Sequence, residues 1–210
     1  MSDPRQSAAV RGADGRRRCP WAGSAPEYQA YHDDEWGRPV ADDGRIYEKL
    51  CLEGFQSGLS WLTILRKRDA FRRAFAGFEP EKVAAFGDGD VVRLLDDAGI
   101  IRHRGKIEAA IANARATLTV QADRGSLAAL VWDFEPARRG RAAPVHLGDL
   151  APQTPESLAL SKALRRYGFR FVGPTTAYAA MQSLGLVNDH LQGCRVRAAC
   201  EAERRSLRIG

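Results

Sequence analysis

Residues 161–185 read SKALRRYGFRFVGPTTAYAAMQSLG, and the fold turns on them. Helix-forming residues run up to Gly168. A short turn, FVGPTT, follows, and Pro174 stands where a helix accepts proline, in a first turn that needs no N–H from it. The stretch reads as helix, tight glycine turn, helix. The free N–H groups that open the second helix favour an anion. A DNA phosphate would be held there without any reading of base sequence. Gly-Pro before a helix is also simply a good helix start, so the turn gains meaning only in company.

Working outward, the same helical signals recur. Upstream, Thr154, Pro155 and Glu156 supply a cap, a first-turn proline and a first-turn acid. ADDGRIYEKLCLEGF (41–55) opens with aspartates at cap positions, and SWLTILRKRDAFRRAF (60–75) has Ser60 as its candidate cap. DGDVVRLLDDAG, RGKIEAAIANARATL and SLAALVWDF read as further helices. Residues 135–153, with Pro136, Gly140, Pro144 and Pro152, read as a long connection. Continuous strand-type alternation is absent, so the expected class is all-α.

The net charge of +6 sits at the ends. Residues 1–18 hold five Arg and two Asp, residues 195–210 five Arg and two Glu, and the body between is neutral. The ends are expected to be a disordered Arg-rich arm (1–18) and a mobile basic tail (195–210). A nucleic-acid surface on the body would rest on clusters such as RKRDAFRR (66–73) and RHRGK (102–106), which could equally be solvated helix faces. No apolar run is long enough for a bilayer, and the first 18 residues lack a signal's apolar core. A cytoplasmic chain with no membrane partner is expected.

Two cysteines have histidines at suggestive spacing: Cys19-x12-His32 near the start and His190-x3-Cys194 near the end. Together they supply a full tetrahedral zinc shell with no open position, as in structural sites. Such an ion would fasten the two ends of the fold. Short-range Cys/His pairs also arise by chance, and a buried Cys is often only a small hydrophobe. Cys51 is expected in the core, and Cys200, in the charged tail, as a spare reactive thiol.

Glu53 poses the sharpest question. It falls with Ile46 and Leu50 at helical spacing, which places a carboxylate on an apolar stripe. Such a group is costly unless something compensates it.

Several long motifs now stand in order: CPWAG, YHDDEWGRPV, CLEGFQSGLSWLTILRKR, DAGIIRHRGKI, SKALRRYGFRFVGPTT and GLVNDH. In these the chain resembles the bacterial type I 3-methyladenine DNA glycosylases, of the helix-hairpin-helix superfamily, over about residues 19–194. The resemblance implies one glycosylase domain there, with the pocket between two helical lobes, and one structural Zn²⁺ at Cys19, His32, His190 and Cys194. It implies no organic cofactor. The activity implied is monofunctional excision of N3-methyladenine from alkylated double-stranded DNA, by a monomer, leaving an abasic site.

Glu53 becomes the candidate catalytic and base-binding group, accepting hydrogen bonds from the adenine edge. Trp61 is the stacking wall, with Tyr31 and Trp21 beside it and Tyr28 a weaker candidate. Gln56, Gly58 and Leu59 suit a probe that fills the gap left by a flipped base. Arg102, Arg104, Lys106, Gly173 and Thr175 are candidate DNA contacts. Bifunctional relatives carry a hairpin lysine that forms a Schiff base; Thr175 stands there, so lyase chemistry has no amine. Asn188 stands in place of those relatives' catalytic Asp, and Asp189 is expected to orient His190. Three alternatives stay open: Glu53 as the partner of a buried Arg, a zinc-stabilised, non-catalytic DNA-binding module that needs no pocket at Glu53 and Trp61, or a glycosylase for other alkylpurines.

Overall fold

A computed structural model describes residues 8–137 and 141–209. Ten α-helices carry the described fold: α1 Pro26–Asp34, α2 Asp43–Gln56, α3 Trp61–Ala74, α4 Pro80–Ala84, α5 Asp88–Asp96, α6 Arg104–Arg124, α7 Leu127–Trp132, α8 Pro155–Arg166, α9 Pro174–Ser183 and α10 Arg197–Ser206. The expected caps are in place. Asp42, Ser60 and Thr154 accept hydrogen bonds from the N–H groups of Arg45, Thr63 and Ser157, each worth about 1 kcal/mol. The only strands among the described residues, β1 Val10–Arg11 and β2 Arg17–Arg18, form a minute antiparallel hairpin.

Helix α2 is the axis of the molecule and packs against α3, α6, α7 and α9. Its Ile46, Tyr47, Leu50, Leu52 and Phe55 are fully enclosed. Burial of each side chain of this size stabilises the fold by roughly 1.5–3 kcal/mol.

The turn between α8 and α9 is tied from both sides. Asn113 of α6 accepts from the Arg170 N–H at 2.7 Å and donates to its carbonyl at 3.1 Å, while the Ser161 hydroxyl donates to Val172 O at 2.6 Å. After α9, Gly185 adopts φ +77°, and a Cβ there would lie 2.6 Å from the Arg38–Pro39 backbone. Only glycine lets the two segments approach so closely.

Both charged ends depart from expectation. Residues 1–7 of the proposed arm lie outside the described residues, but the rest is fastened. Arg18 is buried, with its guanidinium between Asp14 and Asp33, and Arg17 O accepts from the Arg195 N–H at 2.9 Å. The basic tail is helix α10, not a mobile segment. Its Arg204 is buried, pairs with Glu135 and donates to Leu186 O. Cys200 is buried in the same helix, and burial pushes its thiol up to about 11, which removes it as a reactive thiol. Composition marked these ends as charged; partners from distant segments make them structural. Cys51 is in the core as expected.

Candidate base pocket and metal centre

Helix α1 presents His32 at its C-terminal end, beside Cys19, which directly precedes a 3-10 turn at Pro20–Ser24. The segment after α9 brings His190 and Cys194 against them. All four residues are buried, and their ligand atoms lie within 4.8 Å of one another. Neighbouring donors are separated by 3.2 Å (His32 Nε2 to His190 Nδ1), 3.4 Å (Cys194 Sγ to His32 Nε2), 3.6 Å (Cys194 Sγ to His190 Nδ1) and 3.8 Å (Cys19 Sγ to His190 Nδ1). A tetrahedron with ordinary Zn–N and Zn–S bonds has edges of roughly 3.3–3.8 Å, so the cluster has the geometry to hold such an ion. The Cys19 thiol and the imidazoles of His190 and His32 all favour a thiolate at Cys194.

The remaining ring nitrogens are spoken for: His32 Nδ1 lies 2.8 Å from Asp33 Oδ1, and His190 Nε2 lies 2.9 Å from Trp36 O. Such contacts fix ring orientation around a metal. The carboxylate with this task is Asp33, not Asp189. Asp189 accepts from Tyr178 Oη, Gln182 Nε2 and Arg141 instead. Asn188 donates to Arg197 O and Glu201 and so anchors α10.

Next to the Cys/His cluster is a cavity of about 340 Å³ whose lining includes Glu53, Trp61, Tyr31, Trp21, Tyr28, Trp36, Gln56 and Gln182. That is the size of a small-ligand site. All four residues expected to bind a base line this one space. The two sites share walls. The Trp36 ring meets the His190 ring edge-on at 4.6 Å, and Trp21 meets His32 at 5.1 Å and Trp36 at 5.2 Å. Trp36 escaped the sequence reading; its position four residues after His32 was the available signal. Tyr28 also ties α1 to α3, since its hydroxyl accepts from the Leu62 N–H at 3.0 Å.

Glu53 is 6% exposed, on the same stripe as Ile46 and Leu50. It has a partner, and the partner is a lysine rather than the arginine weighed from sequence. Lys49 Nζ lies 3.1 Å from Glu53 Oε1, donates to the Tyr31 hydroxyl at 2.6 Å, and stands 3.6 Å from the centroid of the Trp61 ring. Burial raises the Glu53 carboxyl, with Lys49 opposing, and burial lowers Lys49. The clue to Lys49 was its i,i+4 spacing from Glu53, a pattern more familiar from helix surfaces.

The loop between α2 and α3 stands out from the pocket rim. Ser57, Gly58 and Leu59 are exposed, and Leu59 is among the exposed large apolar side chains. Gly58 adopts φ +81° with open space around it. Arg102, Arg104 and Thr175 are exposed, and Gly173 caps α9. Lys106 departs from expectation: it is buried, and its Nζ donates to Phe55 O at 2.9 Å and Ser57 O at 2.6 Å. It satisfies the C-terminal carbonyls of α2, where a cation complements the helix dipole, and is not free to meet a phosphate.

The sequence model of the methyladenine glycosylase family matches residues 21–198. The DNA-3-methyladenine glycosylase 1 of Escherichia coli K12 is 49% identical over 177 residues, covering 84% of this chain and 95% of that protein. Among solved structures, a crystal structure of a 3-methyladenine DNA glycosylase I superposes with a TM-score of 0.81 at 48% identity, covering 85% of this chain and 98% of that one. The Staphylococcus aureus 3-methyladenine DNA glycosylase I, solved to establish 3-methyladenine recognition, gives 0.82 at 36% identity, over 86% and 96% of the two chains. No helix among the described residues is long and apolar enough to cross a membrane.

Proposed function

The chain belongs to the methyladenine glycosylase family, and from that premise we propose that it is a monofunctional DNA-3-methyladenine glycosylase. It excises N3-methyladenine from alkylated double-stranded DNA by hydrolysing the N-glycosidic bond. The observation that carries this reading is the cavity: a buried glutamate faces a purine-sized space walled by tryptophan and tyrosine.

A base methylated at N3 is positively charged while still joined to its sugar and is already a good leaving group. The enzyme's task is then to take it from the stack and hold it. Glu53 accepts hydrogen bonds from the base edge, and Trp61 offers its ring, with Tyr31 and Trp21 completing the wall. Stacking of this kind is worth about 1–3 kcal/mol per base, comparable with the few kcal/mol that unstacking costs. Leu59, carried with Gly58 on the exposed loop that follows Gln56, fills the vacated stack. Arg102, Arg104 and the N-terminus of α9 at Gly173 and Thr175 hold phosphates. Thr175 supplies no amine, so the abasic strand is left uncleaved.

Cys19, His32, His190 and Cys194 hold a structural Zn²⁺, which supplies a cross-link between the chain's two ends and no catalytic step. The protein acts as a cytoplasmic monomer. Residues 19–194 form its glycosylase domain, in two helical groups about the cavity, and the described parts of the flanking segments are fastened to it.

Incubation with methylated duplex DNA tests the activity. Release of 3-methyladenine without strand scission is expected; β-elimination products would overturn the monofunctional reading. Comparing N3- with N7-methylpurine release decides between this and a broader alkylpurine specificity.

A further inference from the structure

Glu53 has been treated as the pocket's recognition group, yet the most consequential contact it makes is with Lys49. Both residues lie on α2, one turn apart, and both are enclosed: the Lys49 side chain is 12% exposed and that of Glu53 6%. Trp61 borders two spaces, the base cavity and a separate recess of about 50 Å³. Lys49 lines the recess, whereas Glu53 lines the cavity. The ammonium group is therefore behind the aromatic wall, 3.6 Å from the Trp61 ring and hydrogen-bonded to Tyr31.

Glu35, Arg45, Glu48, Arg68 and Arg72 line the same recess. Glu35, which caps the C-terminus of α1, pairs with Arg68 of α3, and Arg72 of α3 pairs with Glu48 of α2. Among the described residues this leaves Lys49 as the basic group in ion-pair contact with Glu53.

We propose that Lys49 is a positioning residue for the reaction: its ammonium ion is the pocket's resident cation, which keeps Glu53 an oriented, anionic acceptor and braces the Trp61 and Tyr31 rings from behind. This rests on the reading of the cavity as a base pocket. Its consequence is that Glu53 does not wait as a bare negative charge for a cationic guest. The pocket is balanced before the base arrives, and selection comes from an acceptor fixed in place and a ring face fixed in place. A carboxylate that lost this counterion in a dry site would take up a proton and would no longer be acceptor-only.

The test is a titration of Glu53 with Lys49 altered. In protein labelled with ¹³C at glutamate carboxyls, the Glu53 signal is assigned by its loss in Glu53→Gln and followed against pH, with 3-methyladenine affinity measured by calorimetry on the same samples. In Lys49→Met the Glu53 midpoint is expected to rise by about one unit or more, with 3-methyladenine affinity lost at a correspondingly higher pH as the solution is acidified. Lys49→Arg, whose larger head has the neighbouring recess to enter, is expected to restore affinity to within about threefold. Lys49→Gln keeps a donor for Tyr31 but no charge, and it serves if the methionine variant fails to fold; it should shift the carboxyl in the same direction.

An unchanged Glu53 midpoint in a folded, uncharged variant overturns the proposal, as does unchanged affinity across the pH range. Failure of the unaltered protein to bind 3-methyladenine would instead remove the base-pocket reading, while the carboxyl titration would still judge the Lys49–Glu53 coupling.

Discussion

The Cys/His cluster and the adjoining cavity share Trp36 and Trp21 as walls, yet they treat buried polar groups in opposite ways. At Cys19, His32, His190 and Cys194 the donors converge, and both histidine rings have a second contact. Everything there is spent on holding the two ends of the chain together. At the cavity, Glu53 has as its ion-pair partner Lys49, enclosed behind Trp61, and stands beside space that a ligand can fill. One region is built to stabilise the fold. In the proposed function, the other keeps a charged acceptor facing an opening, an arrangement expected to cost some stability.

The strongest way to break this contrast is to remove the fastening. Chelation, or Cys194→Ala, is expected to lower stability by several kcal/mol, since binding energy at such a site is largely folding energy. The aromatic wall should fail with it, because Trp36 and Trp21 lean on the ligand rings. Thermal unfolding, metal content and 3-methyladenine affinity, followed together, check both halves. Loss of metal with the pocket intact would separate the two regions.

Glu53→Gln acts on the other side alone. Loss of an acceptor that bonds as an anion should cost roughly 1.5–3 kcal/mol of base affinity, or about 10–100-fold, with nonspecific DNA affinity nearly unchanged. A parallel fall of both would make Glu53 a support of the fold.

The stability cost of the pocket can be exposed by replacing the pair with apolar groups of similar volume. Lys49→Met/Glu53→Leu should abolish base binding while leaving the protein equally stable or about 1–2 kcal/mol more so. The pH dependence follows from the directions of the shifts. A carboxyl raised on folding, as Glu53 is, contributes stability below its unfolded pKa and loses it as pH rises through the folded one. An amine lowered on folding, as Lys49 is, contributes above its unfolded pKa and loses it as pH falls through the folded one. Between those limits both work against the fold, so the double variant should gain most near neutral pH in denaturant titrations. Glu35, whose carboxyl is lowered by the Arg68 guanidinium against the effect of burial, has the ordinary sign: its contribution is present above its unfolded pKa and lost as pH falls.

Two smaller effects sharpen the boundary between pocket and DNA surface. Lys106→Met should loosen the Ser57–Leu59 loop by freeing two carbonyls, lowering activity on duplex DNA by about tenfold or more while free-base affinity holds; each lost bond to a charged group is worth roughly 1.5–3 kcal/mol. Arg104→Ala should reduce the slope of log affinity against log salt by about 1 and leave base affinity untouched. Its exposed partner Glu108, 3.6 Å away, adds little.

Much of this molecule was legible in its sequence, where the signal is local. Helix caps at Asp42, Ser60 and Thr154, the proline starts at 155 and 174, and the apolar stripe that carries Glu53 all lie within a few residues of what they control. The Cys/His spacings at the two ends were visible too, though their convergence depends on contacts across some 160 positions of chain. What only the tertiary structure decided is where a charge goes. Arg18, Lys106 and Arg204 look like Arg104 in the sequence, yet three of them turn inward to acids or carbonyls brought from distant segments, and one faces solvent. Asp189 likewise found Tyr178 and Gln182 rather than its neighbour in the chain. A helix position sets the direction of a side chain, but the partner that makes burial tolerable comes from another element, and local sequence carries no record of that approach.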